Sequence, residues 1–289
     1  MNGDYSKYDQ NFSAQLISAV GSVMCTMAYH LGYTPEYIIM LSSIFADLAN
    51  PIYVFGGCLV SFLGLMPSGN PATVAINGIG NSLLHRCFFY EHWVSLYGSP
   101  PTVGIFRKFV TMGFVGDDSI GGVSDTVPWF NMQNYQKWLA RLGMPYTDAD
   151  KSAVIPEYVP LAKASLCKRT FRVHLDGMVD APIELDSIFK SMHMLHKSTE
   201  DELMIVSLNV TQGLRELARW PREVFEQNVK VIRKACEDIK LNVEHLYRSY
   251  DGWRLEIVQK YHGVSEESPE QEKSQYGHSN VMYDVGTFE

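Results

Sequence analysis

The chain has 289 residues, 46% of them hydrophobic and 19% charged, with 24 Lys+Arg against 32 Asp+Glu and a formal net charge of −8. This composition excludes a collagen-like, disordered or disulfide-scaffold chain, and it lacks the excess positive charge that usually marks a nucleic-acid binder. The charge is uneven along the chain: residues 1–150 carry 6 basic and 10 acidic groups, residues 151–262 carry 17 and 16, and residues 263–289 carry 1 and 6, so more than half of the net acidity sits in the tail. Five widely spaced cysteines (Cys25, Cys58, Cys87, Cys167, Cys236) form no C-x-x-C pair and read as free thiols of a reducing compartment. Met1-Asn2-Gly3-Asp4 is acidic and is not followed by a signal-peptide core. The longest apolar run, Ile52 to Met66, is 15 residues, short of the roughly 20 that a membrane helix needs.

In chain order, Asn11–Leu31 has helical apolar spacing and stops at Gly32. A second helix opens at Thr34-Pro35-Glu36 and closes before Asn50-Pro51. Ile52–Phe55 and Cys58–Phe62 read as a hairpin turning on Gly56-Gly57. Asn70-Pro71 opens a helix to about Tyr90. Phe106–Val115 reads as a strand that turns at Gly116-Asp117-Asp118 and returns as Ser119–Val123. Asn131–Leu142 is an amphipathic helix ended by Gly143, and short strands are expected in Lys151–Ile155 and Ala164–Val179, the latter with an Asp176-Gly177 turn. From Glu184 the pattern is helical, with a capping box at Thr199-Glu200-Asp201-Glu202, a helix from Pro221 and a last helix to about His262. Helices and hairpins followed by helices alone predict a mixed α+β domain and then a helical one, with a polar disordered tail or linker over 263–289.

Three segments carry candidate chemistry. Asp4-Tyr5-Ser6-Lys7-Tyr8-Asp9 places two carboxylates five apart, Ser68-Gly69-Asn70-Pro71-Ala72-Thr73 leads into Asn77, and Gly116-Asp117-Asp118 sets adjacent aspartates at a hairpin tip. Adjacent carboxylates raise one another's pKa unless a cation is near. Mg²⁺ takes hard oxygen ligands, usually one or two carboxylates with phosphates and water. Two such ions about 3.5–4 Å apart can activate a hydroxyl and stabilise a leaving group on phosphorus.

In this order the segments resemble motifs A, B and C of the RNA-dependent RNA polymerases of picorna-like positive-strand RNA viruses. Leu142-Gly143-Met144-Pro145-Tyr146-Thr147-Asp148-Ala149-Asp150-Lys151-Ser152 resembles motif D, and Leu166-Cys167-Lys168-Arg169-Thr170-Phe171 resembles motif E. The resemblance implies an α+β polymerase palm with a small antiparallel sheet over residues 1–183, finger-side helices within 10–65, and a helical thumb over 184–262. It implies nucleotidyl transfer from NTPs to an RNA 3′-OH on an RNA template, with two Mg²⁺ ions, Mn²⁺ being a substitute. By the same resemblance Asp4, Asp117 and Asp118 are the metal-binding catalytic carboxylates and Lys151 is the general acid for pyrophosphate. Asp9 and Asn77 sense the ribose 2′-OH with Ser68, Gly69 and Thr73 beside them, and Lys168 and Arg169 grip the primer strand. The expected partners are RNA template and primer, NTPs and other viral replication proteins, at replication complexes in the host cytoplasm.

Two departures from the family pattern stand out. Val115 precedes Gly116 where many relatives have tyrosine. The chain also begins three residues before Asp4, which reads as an N-terminally truncated fragment of a polyprotein product whose fingers lie upstream. The alternatives are an inactive palm and thumb fragment or a reverse transcriptase. Asp9 argues against the latter, which normally places a bulky side chain against the 2′ position.

Overall fold

The computed structural model describes residues 1–148, 154–173, 178–195 and 199–261. The chain divides into two compact units, Met1–Phe171 and Arg172–Glu289.

The first unit opens with strand β1 (Asn2–Tyr5) and one 3-10 turn, Asp9–Asn11. Helix α1 (Ala14–His30) is capped by Ser13, whose hydroxyl accepts from the Leu16 N–H. Helix α2 (Pro35–Ala49) has proline at its first position, where a missing N–H costs no helical bond. Strands β2 (Ile52–Phe55) and β3 (Cys58–Ser61) form the expected hairpin over Gly56-Gly57. The 25-residue helix α3 (Thr73–Tyr97) ends on Gly98, whose left-handed backbone lets its N–H reach Val94 O. After it come helix α4 (Ile105–Phe109), strands β4 (Val110–Val115) and β5 (Asp118–Val123), helix α5 (Met132–Ala140), strand β6 (Tyr146–Asp148), and the hairpin of β7 (Ser165–Leu166) and β8 (Arg169–Thr170).

Strands β4, β5, β1 and β6 lie side by side in that order, each antiparallel to its neighbour. In β1 side chains alternate between faces. Gly3 and Tyr5 face Tyr146, and a Cβ on Gly3 would fall 1.9 Å from the Tyr146 hydroxyl, so only glycine fits there. The core of this unit is largely aromatic: Phe88 stacks on Phe130, with centroids 5.4 Å apart, and Phe89 packs edge-on to Phe106. Such pairs add roughly 0.5–1.5 kcal/mol beyond area burial.

The mixed α+β class agrees with expectation, but several boundaries differ. Ile105–Phe109 is helical and not the start of a strand. Phe106 and Phe109 share one face at a spacing of three and pack inward, a pattern that a short apolar run cannot distinguish from a strand. Helix α3 starts at Thr73 and not Pro71, because the Asn70 side chain accepts from the Ala72 N–H and holds an irregular turn first. Strand β6 was not foreseen. Of the expected strand Lys151–Ile155, residues 151–153 lie outside the described residues and Val154-Ile155 are irregular.

The second unit pairs β9 (Arg172–Val173) with β10 (Val179–Asp180), with the expected Asp176-Gly177 turn outside the described residues. Helices α6 (Leu185–Met192), α7 (Glu202–Leu217), α8 (Arg222–Asp238) and α9 (Tyr250–Tyr261) follow, in keeping with the helical expectation. Asp201 and not Thr199 caps α7, since its carboxylate accepts from the Leu203 N–H. Trp253, Leu214, Leu217 and Phe225 form the centre of this unit's core. The Arg254 guanidinium places both hydrogen bonds on the Asp180 carboxylate, at 2.9 and 2.8 Å, and Asp180 is almost fully buried. The tail 263–289 lies outside the described residues, and no helix among those described is long and apolar enough to cross a membrane.

Candidate functional site

The first unit holds an open cleft lined by three of the candidate residues, Asp9, Ser68 and Asp117. Asp4 is half-buried in β1, paired with Thr147 of β6. Asp117 lies in the two-residue turn between β4 and β5, whose flanking residues Val115 and Asp118 pair directly. Gly116 takes the first turn position with φ +63°, the left-handed backbone that makes glycine the fitting residue. Exposed Val115 is an ordinary strand residue here.

Asp9 lies four residues beyond the end of β1 and opens the 3-10 turn Asp9–Asn11. Its Oδ2 accepts from the Ser68 hydroxyl at 2.6 Å and its Oδ1 accepts from Asn77 Nδ2 at 2.8 Å. The structure therefore joins Asp9, Ser68 and Asn77, which lie up to 68 residues apart in the chain. The Tyr8 hydroxyl donates to Asn77 O, while the buried Asn77 Oδ1 has no partner among the described residues. Thr73 stays out of this group: its hydroxyl bonds Pro67 O and Asn70 O and so shapes the loop entering α3. Gly69 is exposed, with open space around its Cα and no left-handed backbone. Nothing in the local geometry demands glycine there.

The cleft has a volume of about 830 Å³ and is lined by Asp9, Ser68 and Asp117, with Lys7 and Tyr8 between them and Tyr53 and Phe55 of the β2–β3 hairpin opposite. Lys7 and the hairpin aromatics were not singled out in the sequence. The segment after the hairpin is tied to the chain after β1, where the Leu65 and Met66 N–H groups donate to Phe12 O and Asp9 O, a link that residue spacing does not reveal.

Burial pushes the Asp117 carboxyl pKa up, and the negative charges of Asp118, Asp4 and Asp9 push it further the same way. A nearby cation would relieve this repulsion, so the donor chemistry of Asp4 and Asp117 fits a hard divalent ion. The full trio is not gathered as a cage: among the described residues no three His, Cys, Asp or Glu side chains lie within reach of one ion. Asp118 Oδ2 instead accepts from the Cys167 N–H at 3.0 Å.

That contact ties the β4–β5 hairpin to the β7–β8 hairpin. Cys167 and Lys168 form its turn with φ +51° and +60°, a conformation that non-glycine residues hold at some cost. Buried Asn2 anchors the same hairpin, donating to Ser165 O at 2.6 Å and accepting from the Ser165 N–H at 3.0 Å. Lys168 is exposed and Arg169 half-buried. Lys151 lies outside the described residues.

Behind the Gly116–Asp117 turn runs a buried polar network. Asn81 Nδ2 donates to Asp117 O at 2.7 Å and to Gly116 O at 3.4 Å, and its Oδ1 accepts from the Tyr5 hydroxyl at 2.9 Å. Tyr5 Oη lies 2.6 Å from Tyr135 Oη, which lies 3.2 Å from His85 Nδ1. Burial pushes the His85 pKa down to about 3, so the ring is neutral. Asn77, Asn81 and His85 are spaced by four along α3, and this polar stripe on a buried helix face was the sequence signal for the network.

A family model, viral RNA-dependent RNA polymerase, matches residues 1–237, and the chain belongs to that family. It is 28% identical over 219 residues to the RNA1 polyprotein of Tomato ringspot virus (isolate raspberry), which covers 75% of this chain and 10% of that polyprotein. It is 26% identical over 275 residues to the replicase polyprotein of Acute bee paralysis virus (strain Rothamsted), covering 90% of this chain and 14% of the polyprotein. The RNA1 polyprotein of Cowpea mosaic virus (strain SB) is 31% identical over 173 residues, covering 58% of this chain and 9% of that protein. These relatives are polyproteins of picorna-like viruses, and the chain spans about a tenth of their length.

Proposed function

We propose that this chain carries the catalytic centre of an RNA-directed RNA polymerase that extends an RNA 3′-OH on an RNA template during viral replication. The observation that carries the reading is the Asp9 carboxylate held by both Ser68 and Asn77 at the rim of a cleft that also presents Asp117. A ribose 2′-OH is donor and acceptor at once. Asp9 accepts its proton, and Asn77 Nδ2, which carries two hydrogens and gives one to Asp9, is the donor for its oxygen.

The reaction joins the primer 3′-oxygen to the NTP α-phosphorus and breaks the bond to pyrophosphate. Asp4 and Asp117 are the residues that would hold divalent cations, with Asp118 supporting the turn from which Asp117 projects. The chemistry such ions supply is Lewis-acid activation of the hydroxyl and neutralisation of charge on the departing phosphates. Lys7 stands in the cleft as a cation for phosphate oxygens, Lys151 delivers the proton to pyrophosphate, and Lys168 and Arg169 contact the primer backbone. The first unit corresponds to the palm with its finger-side helices, and the second to the thumb.

The test is primer extension on an RNA template with NTPs and Mg²⁺, using this chain and the same chain extended upstream in its reading frame, each beside Asp117→Ala. Extension abolished by Asp117→Ala supports the reading. Failure of the extended, folded protein to use NTPs, or a preference for dNTPs, overturns it. Asn77→Ala is expected to raise dNTP use relative to NTP by about tenfold or more, since one buried hydrogen bond to the hydroxyl is lost.

A further inference from the structure

The network behind the Gly116–Asp117 turn has a fixed direction. The two carbonyls of the turn can only accept, so the Asn81 amide must face them with its nitrogen and turn its oxygen to Tyr5. The Tyr5 hydroxyl spends its proton on Asn81 and therefore accepts from Tyr135. Tyr135 has then no proton left for His85. His85 Nδ1 must carry the hydrogen, directed at Tyr135 Oη and at Asn81 O, 3.0 Å away, and Nε2 is left bare. His85 Nε2 has no partner among the described residues, which agrees with this tautomer. Every hydrogen bond thus points from His85 through Tyr135, Tyr5 and Asn81 toward the carbonyl of Asp117.

The ends of this chain matter for the site. Tyr5 is the residue after Asp4 on β1, and Asn81 lies one helical turn beyond Asn77 on α3. One fully buried amide therefore binds the strand bearing Asp4, the helix bearing Asn77 and the turn bearing Asp117. A Cβ on Gly78 would meet Gly116 N at 3.6 Å, an ordinary van der Waals contact, so α3 lies directly against the turn there.

We propose that Asn81, oriented by the Tyr5 hydroxyl, is a positioning residue that locks the Gly116–Asp117 turn against β1 and so sets the placement of the Asp4 and Asp117 carboxylates for a divalent cation. This rests on the polymerase reading only for the identity of the reaction; the positioning itself is measurable without turnover.

The experiment compares the wild-type chain with Asn81→Leu, Tyr5→Phe and Tyr135→Phe by amide hydrogen exchange of the metal-free protein and by calorimetric titration with Mn²⁺. Asn81→Leu and Tyr5→Phe are expected to speed exchange at Gly116, Asp117 and Asp118 about tenfold, with amides elsewhere in the first unit unchanged, and to weaken Mn²⁺ binding by a similar factor. Tyr135→Phe, one step further from the turn, is expected to have a smaller effect in the same direction. Unchanged turn exchange, unchanged Mn²⁺ affinity, or acceleration spread evenly over the unit's core overturns the proposal. If Asn81→Leu does not fold, Tyr5→Phe, which removes a single oxygen, decides it alone. Absent primer extension by the upstream-extended wild type, with the exchange and Mn²⁺ effects intact, refutes the polymerase reading and leaves the positioning role standing.

Discussion

His85 should make the protein's stability fall steeply below neutral pH. The ring is fully buried among Phe114, Phe130 and Tyr135, with centroids 5.2, 6.4 and 4.2 Å away. Burial lowers its folded-state pKa from 6.5 to about 3. The folded protein then binds fewer protons at this site than the unfolded chain, so the contribution is fully present above pH 6.5 and is lost as pH falls toward 3. At pH 5 the unfolded ring is protonated and the folded ring is not, over about 1.5 pH units of linkage. At about 1.36 kcal/mol per unit this is a loss of about 2 kcal/mol between pH 7 and pH 5. Urea unfolding at both pH values, for the wild type and for His85→Gln, isolates the contribution from that of every other titrating group. The wild type should lose about 2 kcal/mol more than the variant. Equal losses in the two proteins, or a His85 ring resonance titrating near pH 6.5, would refute the reasoning.

Two further substitutions test how each unit is held. Asp180→Ala should destabilise the second unit by about 3 kcal/mol in urea unfolding, because the half-buried Arg254 loses the carboxylate that takes both its bonds; pairing it with Arg254→Met should recover most of that loss. Asn2→Ala removes both bonds to Ser165 and should cost about 2–3 kcal/mol in stability, with protease cleavage at the exposed Cys167–Lys168 turn accelerated before global unfolding.

The start of α2 and the Gly116–Asp117 turn were legible because each depends on local chemistry: a proline at a first helical position and a glycine with a left-handed backbone. The grouping of Asp9 with Ser68 and Asn77 was legible only through the family resemblance, since no local rule joins residues so far apart. Asp118 was read with its neighbour as a metal ligand; the bond its Oδ2 accepts from the Cys167 N–H of the β7–β8 hairpin was not foreseen, because adjacency in sequence says nothing of what a side chain leaving a tight turn meets. The helix at Ile105–Phe109 was missed because five apolar residues satisfy either period. Asn81 was missed although it stands four residues from both Asn77 and His85, because that spacing marks a polar stripe on α3 without naming the strand and turn it meets.

Helix α3 has a mechanical consequence. A helix of 25 residues rises about 1.5 Å per residue and behaves as one stiff rod. Asn77, bonded to Asp9, and Asn81, bonded to Asp117 O, sit on adjacent turns of that rod. A small slide or roll of α3 therefore displaces both contacts together, and the two cannot be tuned separately by moving the backbone. A backbone change that loosens or tightens the Asn77–Asp9 contact alters the Asn81–Asp117 contact with it.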